Sequence, residues 1–361
     1  MTGEPSAAPG FTRLPDLASR LLGGSVVFAT DELFADKENL IKPGAPEFAP
    51  HAFGNKGKVY DGWETRRRRD DGHDHAIIRL GAPGVVRGVV VDTAFFRGNY
   101  PPQVSVEAAR AEGYPSPGEL AAMGWHTLVP VCDAAGDCAN YYPVNDERCW
   151  THLRLSIYPD GGVARFRAHG EVVPNPEFLA GTIDLAAAEN GGVVAGCSDA
   201  FYASAANLLL PGPAAGMAQG WENARRRGPG NDWVEVRLAG PGRLRYAEID
   251  TSWFIGNAPG WARLTAADTP AARGGAAGAG PPEAAWWEAV PRTRLQPDTR
   301  HRFPLPGRVA SHVRLDVYPD GGVARLRVLG ELTPAALARL GRRWAGARPR
   351  RRAAGREPGQ R

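Results

Sequence analysis

HLRLSIYPDGGVARFRAHGEVVP (residues 152–174) occurs twice in this chain, because residues 312–334 read HVRLDVYPDGGVARLRVLGELTP. The two copies agree at 15 of 23 positions, and the eight residues YPDGGVAR are the same in both. Earlier in the chain, GWETRRRR at residues 62–69 returns at residues 220–227 as GWENARRR. Ordered matches at a nearly constant offset indicate an internal duplication.

Each copy is predicted to be all-β. The alternation of Arg and apolar residues at 325–328 has the period of two that a half-buried strand requires. Asp-Gly-Gly at residues 160–162 and 320–322 predicts a tight hairpin turn with positive φ angles. One helix is predicted over residues 334–344, with Thr333 as its N-cap. In the first copy, strands are predicted at residues 76–80, 88–92, 153–158 and 163–169.

The duplication predicts two tandem jelly-roll β-sandwich domains, since short strands with many Pro and Gly turns favour that class. We expect an N-terminal extension at residues 1–20, the first repeat at 21–180, the second at 181–335 and an Arg-rich tail at 336–361. The net charge is +4, but the last 20 residues carry eight Arg and one Glu, which leaves −3 for the rest. The tail is therefore predicted to be disordered, and a nucleic-acid partner is not predicted.

The N-terminal sequence lacks the apolar segment of a signal peptide, and no run of residues is long enough for a membrane span. A cytoplasmic location is therefore expected, with no membrane partner. The four cysteines are Cys132, Cys138, Cys149 and Cys197. A disulfide among the first three is conceivable, but free thiols are favoured. A zinc site is disfavoured because the paired C-x-x-C spacing is missing.

Two polar motifs stand out, and each has a structural and a functional interpretation. Four arginines follow Trp63-Glu64-Thr65, and such a run is often a solvated surface. Its return after Trp221-Glu222 gives a functional interpretation equal weight, because duplicated surface residues should have diverged, and a guanidinium suits bidentate binding of a carboxylate. Asp92-Thr93 ends a strand in both copies, where the carboxylate could instead accept hydrogen bonds from loop amides.

His73-Asp74-His75 allows a metal site, because residues i and i+2 of a strand share one face. The second copy keeps only the Asp, which argues against a metal site but leaves it as an open alternative. Other motifs that bind nucleotides or supply a serine nucleophile are absent from the sequence, which leaves nucleotide cofactors and serine-hydrolase chemistry unsupported.

These motifs resemble the allantoicase family. The matching segments are ATDE at residues 29–32, KENL at 37–40, DGWETRRRR at 61–69, and Asp92-Thr93 through the Asn-Tyr-Pro-Pro at 99–102. The resemblance implies two galactose-binding-like jelly-roll domains that hydrolyse allantoate to ureidoglycolate and urea in purine (allantoin) degradation. It implies no cofactor, with a divalent metal such as Mn left open, and a possible homo-oligomer.

Urea release requires an anchor for the substrate carboxylate and groups that move protons. The first copy is expected to carry this chemistry, with the second in support. A non-catalytic carbohydrate-binding protein and a urea-releasing enzyme acting on ureidoglycolate are the alternatives. The predicted acid-base residues are Glu64, His73 and Asp92. The predicted substrate-binding residues are Trp63, Arg67, Arg68, Asp74, Thr93, Asn99, Glu222 and Arg226.

Overall fold

The computed structural model describes residues 8–49, 51, 53–54, 57–58, 60–269, 281–282 and 285–347. The first repeat contains β1 (Ser25–Ala29), β2 (Phe53–Gly54), β3 (Gly57–Lys58), β4 (Trp63–Glu64), β5 (Asp74–Asp92), β6 (Gln103–Ala109), β7 (His126–Asp133), β8 (Ala139–Pro143), β9 (Cys149–Tyr158), β10 (Gly162–Val163) and β11 (Arg165–Val172). The second contains β12 (Ile183–Asp184), β13 (Val193–Cys197), β14 (Asp232–Asp250), β15 (Trp261–Ala267), β16 (Trp287–Arg294), β17 (Arg300–Pro304), β18 (Val309–Tyr318) and β19 (Arg325–Leu332).

Helices are few and short in the described residues, apart from the last one. The α-helices are α1 (Pro117–Ala121) and α2 (Pro334–Gly346). Single 3-10 turns occur at Gly10–Arg13, Arg20–Leu22, Lys37–Ile41, Pro176–Leu179, Ala188–Asn190, Ala205–Leu209 and Met217–Gln219. None of the described helices is long and apolar enough to cross a membrane.

Strand β5 builds both layers of the first sandwich. Its first half pairs with β1 and β9 in a layer of order β1-β5-β9-β6-β7, and its second half pairs with β8 and β11. The two strands predicted at 76–80 and 88–92 are therefore one continuous strand. Strand β14 has the same place in the second repeat. The prediction of an all-β protein with two tandem β-sandwiches is confirmed.

The predicted hairpin at residues 160–162 is wrong. Strands β9 and β11 do not pair with each other; each pairs with β5, so the turn crosses from one layer to the other. The positive φ is present, at 141° for Gly161 and 130° for Gly321. A Cβ on Gly161 would lie 2.7 Å from the Pro101 nitrogen, which explains why glycine stands there. A local turn signal cannot say which strands pair.

The first repeat begins before residue 21. Asp16 Oδ1 accepts the amide hydrogens of Ala18 (3.1 Å) and Ala168 (3.0 Å), and Leu17 is fully buried. Asp184 makes the matching bonds at the start of the second repeat, to the amides of residues 186 and 328. Residues 16–20 therefore belong to the first sandwich, rather than to the N-terminal extension predicted at 1–20.

Helix α2 packs back onto the first repeat. The Thr333 hydroxyl caps it, as predicted, by accepting the Ala336 amide. Arg343 bonds to Glu171 at 2.5 Å, and the Cys149 amide donates to the Ala347 carbonyl at 2.8 Å. The tail predicted to be disordered from residue 336 is thus helical as far as Gly346, and residues 348–361 lie outside the described residues.

Candidate active site

A cavity of about 720 Å³ lies on the outer face of the five-stranded layer of the first repeat. Alternate residues of β5 such as Ala76 and Ile78 point into the core, so His75, which directly precedes Ala76, points outward. Small-molecule sites have volumes of this order. The cavity is lined by Thr30, Arg68, Gly72, His73, His75, Ser105, Glu107, Thr127, Pro130, Val131, Arg154 and Tyr158.

Arg68 is the one arginine of the GWETRRRR run that reaches this cavity. Its Nη1 donates to Asp74 Oδ1 at 2.5 Å, and the fully buried Asp74 also accepts the Thr30 hydroxyl at 2.8 Å. The Arg68 amide donates to Asp160 Oδ2 at 2.6 Å. The YPDGGVAR segment, which sequence alone explained as a turn, therefore also fixes the arginine loop. No described residue hydrogen-bonds to Arg68 Nη2, so that nitrogen can serve a ligand.

Two histidines form one wall of the cavity. The His73 ring lies 4.6 Å from the Tyr158 ring and 6.1 Å from the His75 ring, between centroids. Burial and the positive charges of Arg154 and Arg68 lower the pKa of His73. Burial, with Arg154 next in weight, lowers the pKa of His75 to about 4. Both imidazoles are therefore neutral near pH 7 and can accept a proton.

Sequence reasoning missed an ion pair between β6 and β9. Arg154 Nε donates to Glu107 Oε2 at 2.8 Å, and Arg154 Nη2 bonds to the same oxygen. The Arg154 guanidinium also lies over the Trp125 ring. Further along the two strands, the hydroxyls of Ser105, two residues before Glu107, and Tyr158, four residues after Arg154, are 2.9 Å apart. These residues become neighbours only through the register of β6 on β9.

Glu64 and Asn99 are brought together, but neither lines the cavity. Asn99 Nδ2 donates to Glu64 Oε1 at 2.6 Å, and burial raises the pKa of Glu64. Glu222 and Asn257 make the same bond at the same distance in the second repeat. The acid-base role of Glu64 and the binding roles of Asn99 and Glu222 stay predictions.

The remaining predicted residues lie elsewhere. Trp63 is fully buried, and its indole N–H donates to the Asp31 carbonyl at 2.7 Å. Arg67 is exposed and lines a separate, open cavity of about 580 Å³. Asp92 accepts the Ala94 amide at 2.9 Å, and the buried Thr93 hydroxyl donates to the Ala135 carbonyl at 2.7 Å. These are the loop-fixing bonds weighed above for Asp92, and its catalytic role is an untested prediction.

The described residues contain no group of three or more His, Cys, Asp and Glu side chains placed to hold a metal ion. His73 and His75 are instead flanked by the Arg68 and Arg154 guanidiniums, whose positive charge disfavours a cation beside them. All four cysteines are unpaired thiols.

The same face of the second repeat carries different side chains. Trp233 stands in the register position of His75, and the Arg314 guanidinium lies 4.4 Å from its ring. Arg292 covers Tyr318, the counterpart of Tyr158, at 4.2 Å. Arg226 keeps its bond to the buried Asp232, as Arg68 does to Asp74. The anchoring pair is thus retained in the second repeat, whereas the two histidines are not.

The fold and this site define a tandem β-sandwich protein with an open polar cavity on the outer face of its first repeat. The family model of the allantoicase repeat matches residues 15–173 and 183–333. The chain therefore belongs to the allantoicase family. Two of its relatives are probable allantoicases. The protein of Nocardia farcinica is 54% identical, and the match covers 92% of this chain and 98% of that protein. The protein of Pseudomonas aeruginosa strain UCBPP-PA14 is 44% identical, and the match covers 89% of this chain and 96% of that protein. The crystal structure of allantoicase from Saccharomyces cerevisiae aligns with a TM-score of 0.74 at 35% identity, covering 88% of this chain and 92% of that one.

Proposed function

We propose that this protein is an allantoicase, which hydrolyses allantoate to ureidoglycolate and urea in allantoin degradation, and that the first-repeat cavity is its active site. The observation that carries this proposal is the pairing of Arg68, whose Nη2 is unoccupied by the described residues, with the two neutral histidines. Family membership supports the reaction. A cytoplasmic location and a homo-oligomer remain predictions.

Arg68 would bind the allantoate carboxylate through Nη2, while Asp74 holds its other nitrogen in place. Allantoate carries two ureido groups on one carbon, and the nitrogen of one can expel the other. His73 takes the proton from the retained nitrogen as the C=N bond forms. The C–N bond to the leaving nitrogen breaks, and His73 passes the proton to that nitrogen, which releases neutral urea. Water then adds to the imine carbon and gives ureidoglycolate.

The two alternatives fit the site less well. A carbohydrate-binding protein would present exposed aromatic side chains at its site, whereas this cavity presents two arginines, two histidines and a glutamate. An enzyme specific for ureidoglycolate would share the anchor, because that compound also has a carboxylate and a ureido group. The two substrates must therefore be separated by experiment.

Purified protein is expected to release one urea per allantoate consumed and to leave ureidoglycolate, measured by a coupled urea assay and by NMR of the organic product. Ureidoglycolate supplied alone should yield little urea. If allantoate stays intact with and without added Mn²⁺, or if ammonia is the first nitrogen product, the proposed function is wrong.

A further inference from the structure

The cavity holds more proton-accepting groups than urea release uses. His73, His75 and Glu107 are the three in its described lining. His75 stands two residues from His73, at the start of β5, and the two rings are 6.1 Å apart, so both histidines reach a ligand from the same side. Glu107 reaches it from strand β6, and the reaction has two steps that each move a proton, the expulsion of urea and the addition of water.

We propose that Glu107 is a further catalytic residue, the general base that takes a proton from the water that adds to the imine carbon. This inference rests on the proposed function. As the water oxygen bonds to carbon, its proton moves to the Glu107 carboxylate and the C=N electron pair moves to nitrogen. Glu107 then returns the proton to that nitrogen, so the enzyme ends the cycle unchanged.

The hydrogen bonds of Glu107 suit this role. Both bonds from Arg154 go to Oε2, and no described residue bonds to Oε1. One carboxylate oxygen is therefore held in place while the other is left for a water molecule. The side chain is about a quarter exposed, on the cavity side of β6, so water can reach it.

Glu107 and His73 line different sides of the first-repeat cavity. Strand β9 separates β5, which His73 precedes, from β6, which carries Glu107. At the backbone, the two residues are two strand spacings apart across the sheet, about 10 Å, and four residues apart along the strands, about 13 Å. Their side chains both line the same cavity. A small substrate bound over β9 would meet His73 on one side and Glu107 on the other. Water would then add from the side away from the departing urea, as it does between the two separated carboxylates of an inverting glycosidase.

The second repeat shows whether the carboxylate of Glu107 is needed only to neutralise Arg154. Thr265 faces Arg314 there, as Glu107 faces Arg154 here. Arg314 instead bonds to Asp316 on its own strand at 3.1 Å. An arginine at this strand position can therefore find an acidic partner without a carboxylate at the position of Glu107. The second repeat, which lacks the two histidines, also lacks this glutamate.

The test is Glu107→Gln, which keeps an oxygen for Arg154 but cannot accept the proton. We expect kcat to fall by ~10²–10⁴-fold, the usual loss for a general base, with KM falling alongside it and kcat/KM nearly unchanged, because the affected step follows urea release. In rapid mixing, the variant should release about one urea per chain in a burst and then turn over slowly, because urea release precedes the blocked step. A defect that is only structural would slow both steps and show no burst.

The matched control is Asp316→Asn, which weakens the corresponding arginine pair of the second repeat and should leave kcat nearly unchanged. An unchanged kcat in Glu107→Gln, a loss without a urea burst, or an equal loss in Asp316→Asn would overturn the assignment. Wild-type urea release from allantoate is measured alongside, so failure of the proposed function is seen separately.

Discussion

Replacing Arg68 by Gln is expected to lower kcat/KM for allantoate by roughly 30- to 4,000-fold, because removing one partner of a buried charge contact costs about 2–5 kcal/mol. The loss should appear mainly in KM, since Nη2 binds the carboxylate before and after urea leaves. Steady-state urea release over a range of allantoate concentrations measures both constants.

Arg226→Gln is the matched control for Arg68→Gln. Each variant leaves a buried aspartate, Asp74 or Asp232, without its guanidinium, so each should destabilise the fold by up to roughly 3–5 kcal/mol. Only the Arg68 variant should lose affinity for the substrate once the folded fraction is accounted for. Equal losses of kcat/KM would show that the second repeat also binds allantoate, which was one expectation from the sequence.

Replacing His73 by Asn, the residue at the matching position 231, is expected to lower kcat by ~10²–10⁴-fold through loss of the proton-transfer group. The pKa of His73 is lowered below 6.5 by burial and by Arg154 and Arg68, and only the neutral ring accepts the substrate proton. Wild-type kcat/KM should therefore be constant near pH 7 and fall as the pH drops through that lowered pKa.

The residual activity of His73→Asn should lack the limb of the pH profile that His73 causes. Circular dichroism at each pH checks that the variant stays folded. A variant that keeps the wild-type rate and the wild-type acidic limb would remove His73 from the mechanism.

Much of the fold could be predicted from the sequence, because duplication and strand periodicity are written in consecutive residues. The capped helix after Thr333 could be predicted for the same reason. Strand pairing could not be predicted, since the turn at residues 160–162 has the same glycines whether it joins two paired strands or crosses from one layer to the other. The docking of α2 on the first repeat likewise depends on contacts between residues far apart in sequence, such as Arg343 and Glu171.

Only part of the candidate site could be predicted from the sequence. Arg68, His73 and Asp74 could be found, because they stand close together beside a duplicated motif. Glu107 and Arg154 are 47 residues apart and meet only through strand register, so no local pattern marks them. Trp63 and Thr93 are buried, so their retention in both repeats also has a structural explanation, and their substrate-binding roles stay predictions.

The most direct test of the central claim, that the first-repeat cavity is where urea is released, is the kcat/KM of His75→Trp for allantoate. The second repeat carries Trp233 at this strand position, so the sheet accommodates the indole, which would occupy the cavity as Trp233 does beside Arg314. We predict a folded protein with an unchanged far-ultraviolet circular dichroism spectrum and almost no urea release. A folded variant that retains the wild-type kcat/KM would contradict the account and place the active site elsewhere.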